Sequence, residues 1–409
     1  MVSPHLLDFD SYPAPPGVIE EGQPGFRRCV RCVMDTTDPN IVFDERGECN
    51  HCKTYDWKVG ALLGTEGERA QRLAKRVAAI KAAGAGKEYD CVIGVSGGVD
   101  STYVAYLVKK LGLRPLAVHM DNGWNSELAV SNIQKTLEVL GIDLYTEVLD
   151  WDEFRDLQLA FLKASTPDSE VPTDHAITAV LMRVAKEHGI RYILNGSNLR
   201  TEAINVGAWS QGIRDWKYIR SLHKRFGSVP LETFPHFTLW DFVREALMPT
   251  ITSYSVLNDI EYRKEDAMKV LEHDLDWKYY GGKHYESIYT RFFQAFILPA
   301  KFKGDKRKMH LSTLVCSQEM TREQALDVLK TPPAEQAMLE EDFVFVVKKL
   351  GITPEAFEQI LRLPPKSIKD YPAYENSLGH DVLRFVYRLP RYVRMLNPAR
   401  KQDAVPAQG

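Results

Sequence analysis

Between Tyr89 and about Gly227, short apolar runs alternate with amphipathic segments, a pattern that predicts βαβ units around a parallel sheet. The first apolar run, Asp90-Cys91-Val92-Ile93-Gly94-Val95, empties directly into a glycine turn. A helix follows with Val104, Leu107, Val108 and Leu111 on one face, and Gly112 stops it. Pro115 to Met120 reads as a second strand. Ser126 caps a helix bearing Leu128, Ile133, Leu137 and Leu140, and Gly141 separates it from a third strand, Leu144 to Leu149. A helical pattern from Ala176 to Glu187 leads to a fourth strand, Tyr192-Ile193-Leu194.

Upstream, Leu73, Val77 and Ile80 recur at helical spacing between about Glu66 and Ala83, before Gly84-Ala85-Gly86. Downstream of Ser228 the pattern turns helical and aromatic. The division read from these shifts is an N-terminal arm (1–26), a cysteine module (27–60), a helical linker (61–88), an α/β domain (89–227), a mainly helical domain (228–397) and a tail (398–409). The fold class is α/β, a doubly wound parallel sheet. Such sheets open a crevice at the carboxyl ends of their strands, so chemistry is expected just past each strand: Ser96 to Ser101, Asp121-Asn122-Gly123 and Asn195-Gly196-Ser197-Asn198.

A chain of 409 residues, 44% hydrophobic and 26% charged, can bury a sizeable core. Its formal charge of -3 argues against a dedicated duplex-DNA binder, while a local basic patch and an RNA-directed role for a cysteine module stay open. No apolar run approaches the roughly 18 residues of a membrane span, and the first twenty residues carry Asp8, Asp10 and four prolines where a signal peptide would carry an apolar core. A cytoplasmic location is the expectation.

The stretch Ser96-Gly97-Gly98-Val99-Asp100-Ser101-Thr102 carries the most chemistry. A strand emptying into a glycine turn at a helix start aims several backbone N–H groups outward, where a polyanion can sit, and the hydroxyls of Ser96, Ser101 and Thr102 add donors. It lacks the lysine of G-x-x-x-x-G-K-[ST], so transfer of a γ-phosphate is not indicated. Cys29-x-x-Cys32 and Cys49-x-x-Cys52 have the spacing of a four-cysteine structural zinc site, with His51 between two ligands and expected on the exposed knuckle. His119 and Cys91 fall inside strand patterns and read as core.

Five cations stand between Lys301 and Lys308; among them Lys306 and Arg307 are candidates to neutralise a leaving phosphate. From Trp277 to Phe296 the aromatic residues are spaced as a buried helix face. Gly281-Gly282-Lys283-His284-Tyr285-Glu286-Ser287 is expected to open that helix, with Lys283, His284, Tyr285 and Glu286 as candidate substrate contacts.

Ser96 to Thr102 resembles the PP-loop of ATP pyrophosphatases, which implies cleavage of ATP between its α and β phosphates. Asp121 and Asn122, then, stand where the adenosine is received, and Asn195 to Glu202 resembles a second phosphate-side motif. Together with Cys29 to Pro39, Cys49-Asn50-His51-Cys52, Gly281 to Ser287, Asp305-Lys306-Arg307 and His310-Leu311-Ser312, the chain over residues 27–330 resembles the bacterial N-acetyl sugar amidotransferases of lipopolysaccharide O-antigen and nonulosonate biosynthesis. It departs from them at Gln318-Glu319, where the family tends to have Gly-Gln.

The resemblance implies conversion of an acetamido group on a nucleotide-activated sugar into an acetamidino group. The amide oxygen would attack the α-phosphate of ATP, with Asp100 contacting Mg²⁺, and ammonia would then displace AMP. The cysteines outside the zinc module, Cys91 and Cys316, offer no glutaminase, so a separate class I glutaminase subunit is expected, sometimes with a companion cyclase-like barrel protein. Asp174 and His175 are expected to face the acceptor or ammonia. Two other readings are a tRNA-thiolating enzyme, disfavoured because Pro172-Thr173-Asp174-His175 stands where a thiol is expected, and a non-catalytic adenine-nucleotide sensor.

Overall fold

A computed structural model of the chain describes residues 7, 9–282 and 285–376. Five strands form one sheet: β1 (Cys91–Gly94), β2 (Pro115–Asp121), β3 (Asp143–Val148), β4 (Tyr192–Asn195) and β5 (Thr252–Ser255). Their order is β3-β2-β1-β4-β5, every neighbouring pair is parallel, and Val92 is in register with both Leu116 of β2 and Ile193 of β4. The chain reverses direction across the sheet between β1 and β4. That switch point opens a crevice at their carboxyl ends.

Alternation along β1 sorts the two faces, as the two-residue period of a strand requires. Cys91 and Ile93 face a core shared with Ile80, Val104, Val108, Ile133, Leu137 and Leu271. Val92, with Leu116, Val118 and Ile193, faces Val180, Val184 and Ala185 of the helix Val171–Glu187. Both faces are covered, so the strands read as nearly continuous apolar runs.

The division of the chain read from the sequence changes in two places. The helix Glu66–Ala83, begun by a Thr65/Glu68 capping box, buries Ile80 against β1 and belongs to the α/β core. The sheet also continues beyond residue 227, because β5 pairs with β4 and Val256, Leu257, Leu271 and Trp277 share the same core. Thr252-Ser253-Tyr254-Ser255 has little apolar signature because it is an edge strand with only Tyr254 buried.

A second core is built mostly from aromatic rings. Phe154 and Phe161, from the helix Trp151–Ala164 inserted after β3, pack with Tyr289, Phe292, Phe293, Phe296, Phe343 and Phe357. The aromatic run divides where its role changes: helix starts only at Ile288, while residues 276–282 and 285–287 lie outside any helix. Gly281 to Ser287 therefore precedes the helix and does not open it. Among the described residues no helix is long and apolar enough to cross a membrane.

Candidate active site

The loop 96–102 leaves β1 and enters the helix Val99–Lys110, whose N-cap is Gly98. Gly97 has φ +79°, and a Cβ there would lie 2.5 Å from the Ala129 carbonyl oxygen, so glycine is required on both conformational and steric grounds. The loop is braced from within and from above. Ser101 Oγ accepts from Ser96 N (3.2 Å) and donates to the Gly98 carbonyl (3.1 Å), while Trp277 Nε1 donates to the Gly97 carbonyl (2.9 Å). The Val99 amide donates to the Tyr280 hydroxyl at 3.3 Å. These contacts fix main-chain amides at a helix N-terminus, the arrangement that binds phosphate.

Asp100 lies in the first turn of that helix, and the Tyr262 hydroxyl is hydrogen-bonded to its carboxylate. Burial and the charge of Asp100 push the Tyr262 phenol upward, which keeps it a proton donor. On the neighbouring strand end, Asn195 Oδ1 accepts from Ser197 N and Ser255 Oγ, and Asn198 caps the short helix Leu199–Glu202 through Thr201 N. A Cβ on Gly196 would lie 3.0 Å from Asp100, so the loops after β1 and β4 meet closely across the switch point.

Past β2, Asp121 Oδ1 accepts from Gly123 N and Asn125 Nδ2, and Asn122 links the Trp124 amide to the Thr173 hydroxyl. His119 is buried as expected, but it joins this loop to the glycine loop: its Nδ1 lies 3.0 Å from the Val95 carbonyl and its Nε2 3.2 Å from Asn125 Nδ2. Beside them a cavity of about 180 Å³ is lined by Asp121, Gly123, Val148, Leu149, Trp151 and Lys349. Lys349 comes from the helix Gln336–Leu350, donates to the Gly123 carbonyl, and lies over the rings of Trp124, Trp151 and Phe345. Nothing in the local sequence around Lys349 announces this long-range contact.

The segment before the helix Ile288–Phe292 forms the roof. Ser287 bridges Asn125, Ser126 N donates to the Glu286 carbonyl, and Glu286 Oε1 would be 3.3 Å from a Cβ on Gly98. Tyr285 turns elsewhere, stacked under Arg291 with its hydroxyl toward the Pro333 carbonyl. Lys283 and His284 lie outside the described residues.

The remaining candidates separate. Arg307 is held by Asp305 and the Thr331 carbonyl, whereas Lys306 makes no hydrogen bond or ion pair among the described residues and lies over the Phe293 ring. His175 is fully buried, stacked on Phe237 at 4.0 Å, with its nitrogens on the Ile213 carbonyl and the Phe237 amide. Burial pushes it down to about 4, so it is neutral and structural, a correction to the expectation that it faces the acceptor. Asp174, one position earlier, is exposed. Sequence reasoning missed Glu170, which stands just before the helix Val171–Glu187 without a side-chain cap bond and is buried.

Outside this crevice, the Sγ atoms of Cys29, Cys32, Cys49 and Cys52 all lie within 4.8 Å of one another, fully buried. Their closest separations are 3.6 to 3.8 Å, matching the edge of about 3.8 Å that a tetrahedron with zinc–sulfur bonds of ~2.3 Å requires. Amides of Cys32, Met34 and Cys49 donate to the sulfurs. His51 is not loose on the knuckle but pairs with Asp38 at 2.7 Å. Arg322 donates to the Cys29 and Cys32 carbonyls, which docks the module on the C-terminal helices.

Residues 73–160 match the NAD synthase family, and residues 286–386 match the family described as LPS biosynthesis protein WbpG-like, C-terminal domain. The chain joins a PP-loop ATP pyrophosphatase domain to a WbpG-like C-terminal domain. The PP-loop is the braced loop 96–102, and the WbpG-like region begins at Glu286, in the roof above it.

Among curated proteins, the tRNA-specific 2-thiouridylase MnmA of Mesomycoplasma hyopneumoniae is 30% identical over 155 residues, covering 31% of this chain and 41% of that protein. The tRNA(Ile)-lysidine synthase of Thermus thermophilus is 31% identical over 117 residues, covering 28% of this chain and 22% of that protein. The chain therefore spans less than half the length of these curated relatives. Among solved structures, NMN synthetase from Francisella tularensis aligns with a TM-score of 0.31 at 15% identity, covering 70% of this chain and 94% of that one.

Proposed function

We propose that the protein is an ATP-dependent N-acetyl sugar amidotransferase of lipopolysaccharide O-antigen or nonulosonate biosynthesis. The observation that carries this reading is the meeting of a lysine-free PP-loop with the start of the WbpG-like region, where Glu286 roofs Gly98. The acetamido oxygen of a nucleotide-activated sugar attacks the α-phosphate of ATP. Pyrophosphate departs into the loop, where it takes the Val99 amide from the Tyr280 hydroxyl and the Gly98 amide from Ser96 Oγ, helped by the hydroxyls of Ser96, Ser101 and Thr102. Ammonia then replaces AMP and leaves an acetamidino group.

Hard oxygen donors suit Mg²⁺, and Asp100 supplies them beside the loop, where the ion would offset charge between the phosphates. The 180 Å³ cavity at Asp121 and Lys349 is the place for a nucleoside portion. Zinc on the four cysteines has a structural role only, since four thiolates leave no open position. Ammonia comes from a separate class I glutaminase subunit, in some assemblies accompanied by a cyclase-like barrel protein, and the work is cytoplasmic.

The tRNA-thiolating reading needs a thiol at the crevice. Cys91 is buried at the amino end of β1, away from the crevice, and Cys316 is buried 3.8 Å from Cys52. The test is incubation with ATP, Mg²⁺, ammonium and uridine- and cytidine-linked N-acetyl sugars. The expected products are AMP, pyrophosphate and a sugar in which NH replaces O; ADP and orthophosphate would overturn the proposal.

A further inference from the structure

Asp168 and Glu170 are 3% and 7% exposed, yet Asp168 Oδ2 and Glu170 Oε1 are buried with no hydrogen-bond partner. Two buried carboxylate oxygens without donors, two positions apart, are costly unless something with several N–H groups fills the gap. Their other oxygens are accounted for: Asp168 Oδ1 accepts from the Glu170 amide at 3.1 Å, and Glu170 Oε2 accepts from the Thr290 hydroxyl. Between them in sequence, Ser169 accepts from the Tyr289 hydroxyl at 2.8 Å.

The pair is also connected to the PP-loop. Thr290, which holds Glu170, donates its amide to Ser287 Oγ (3.2 Å); Ser287 bridges Asn125; and Asn125 reaches His119, whose other nitrogen meets the Val95 carbonyl just before the loop. We propose that Asp168 and Glu170 form the ammonium site of the second half-reaction, with Glu170 the base that releases ammonia. This role rests on the amidotransferase reading.

Ammonium is small, cationic and carries four donors, which suits two acceptor oxygens. One N–H proton passes to Glu170 Oε1, giving NH₃ and a neutral carboxyl. The nitrogen lone pair forms a C–N bond to the adenylated imidate carbon, one proton moves from that nitrogen to the sugar nitrogen, and the C–O bond breaks with its electron pair leaving on AMP. Burial raises the Glu170 carboxyl to about 8, with Asp168 and Asp174 acting in the same direction and Lys306 and the Thr290 hydroxyl opposing them. A carboxylate of raised affinity for protons is a better base toward ammonium. Tyr289, pushed upward by burial and by Glu170, remains neutral beside it.

Two measurements on the full chain test this. With ammonium chloride against potassium chloride at equal ionic strength, ammonium should raise the melting temperature of the unaltered chain more, and Glu170→Gln should abolish the difference; equal shifts from both salts overturn the site. With a nucleotide-linked N-acetyl sugar that the unaltered chain accepts, sugar-dependent ATP–pyrophosphate exchange without ammonium should persist in Glu170→Gln, while the KM for ammonium rises at least about tenfold. Thr290→Val should shift that KM the same way by less, and it keeps the test alive should Glu170→Gln not fold. An unchanged ammonium KM overturns the role of Glu170 alone; absence of exchange in the unaltered chain overturns the amidotransferase reading and the catalytic role with it.

Discussion

The thiols of Cys29, Cys32, Cys49 and Cys52 and the carboxylates of Asp168 and Glu170 are both polar groups removed from water, and the fold treats them in opposite ways. The sulfurs converge with spacings that one tetrahedral ion satisfies, and backbone amides complete the shell. The carboxylates keep two oxygens unanswered inside a wall of aromatic rings. A closed shell holds structure together; an open one retains a cost that a transient ligand can relieve. The PP-loop lies between the two kinds: Trp277 fixes the Gly97 carbonyl, while the Val99 amide is held by the Tyr280 hydroxyl, a contact that an entering phosphate can replace.

The largest effect should come from opening the closed shell. Cys32→Ser, or strong chelation, should cost roughly 4 kcal/mol or more, as loss of a structural metal does. The damage should spread, because Arg322 and Ser312 tie the module to the C-terminal helices. Thermal unfolding with and without chelator checks it, and a melting temperature indifferent to chelation would remove the distinction between the two shells. Next is Gly97→Ala. A Cβ 2.5 Å from the Ala129 carbonyl at φ +79° must displace the cradle, so sugar-dependent pyrophosphate release should fall on the order of 100-fold while the far smaller stability loss, about 1–3 kcal/mol, leaves the chain folded.

Legibility in the sequence follows the same divide. Strands β1 to β4, the Ser126 cap and the four cysteines are carried by local patterns of apolar residues, glycines and spacings, and they stand where those patterns indicate. Strand β5 escaped because an edge strand of Thr and Ser has no apolar period to read. Glu170 escaped because one acid before Val171-Pro172 looks like any helix start; its burial is made by Thr290 and Tyr289, more than a hundred residues later in the chain. Lys349 and Tyr262 reach the crevice by equally long-range contacts. His175 misled because its position at the helix start suggests exposure, whereas Trp216 and Phe237 enclose it.

The open shell also has a pH signature. Glu170 is near 4.5 when unfolded and raised to about 8 when folded, so the native state binds the extra proton and stability falls as pH rises between those values. Below the unfolded value the group contributes no penalty, and above the folded value the loss is complete. Glu170→Gln cannot ionise and should lack this slope, gaining on the unaltered chain by ~4 kcal/mol from pH 5 to pH 8.5. Urea denaturation at a series of pH values measures it. Parallel stability profiles would mean that the carboxyl is already ionised and paired in solution.

The smallest effect separates two neighbouring cations that the sequence presents as equals. Arg307 spends its guanidinium on Asp305 and the Thr331 carbonyl, a partly exposed arrangement whose loss costs about 0.5–1 kcal/mol of stability. Lys306, without an ion pair among the described residues, acts on the Glu170 carboxylate. Lys306→Met should therefore lower turnover about tenfold, equivalent to ~1.4 kcal/mol in the barrier, while Arg307→Met changes turnover by less than about threefold and acts on melting temperature instead. Steady-state kinetics and thermal unfolding on the two variants give a crossed pattern if the open shell includes Lys306. A larger kinetic loss in Arg307→Met would move the working cation one residue along the helix, away from the charge that acts on Glu170.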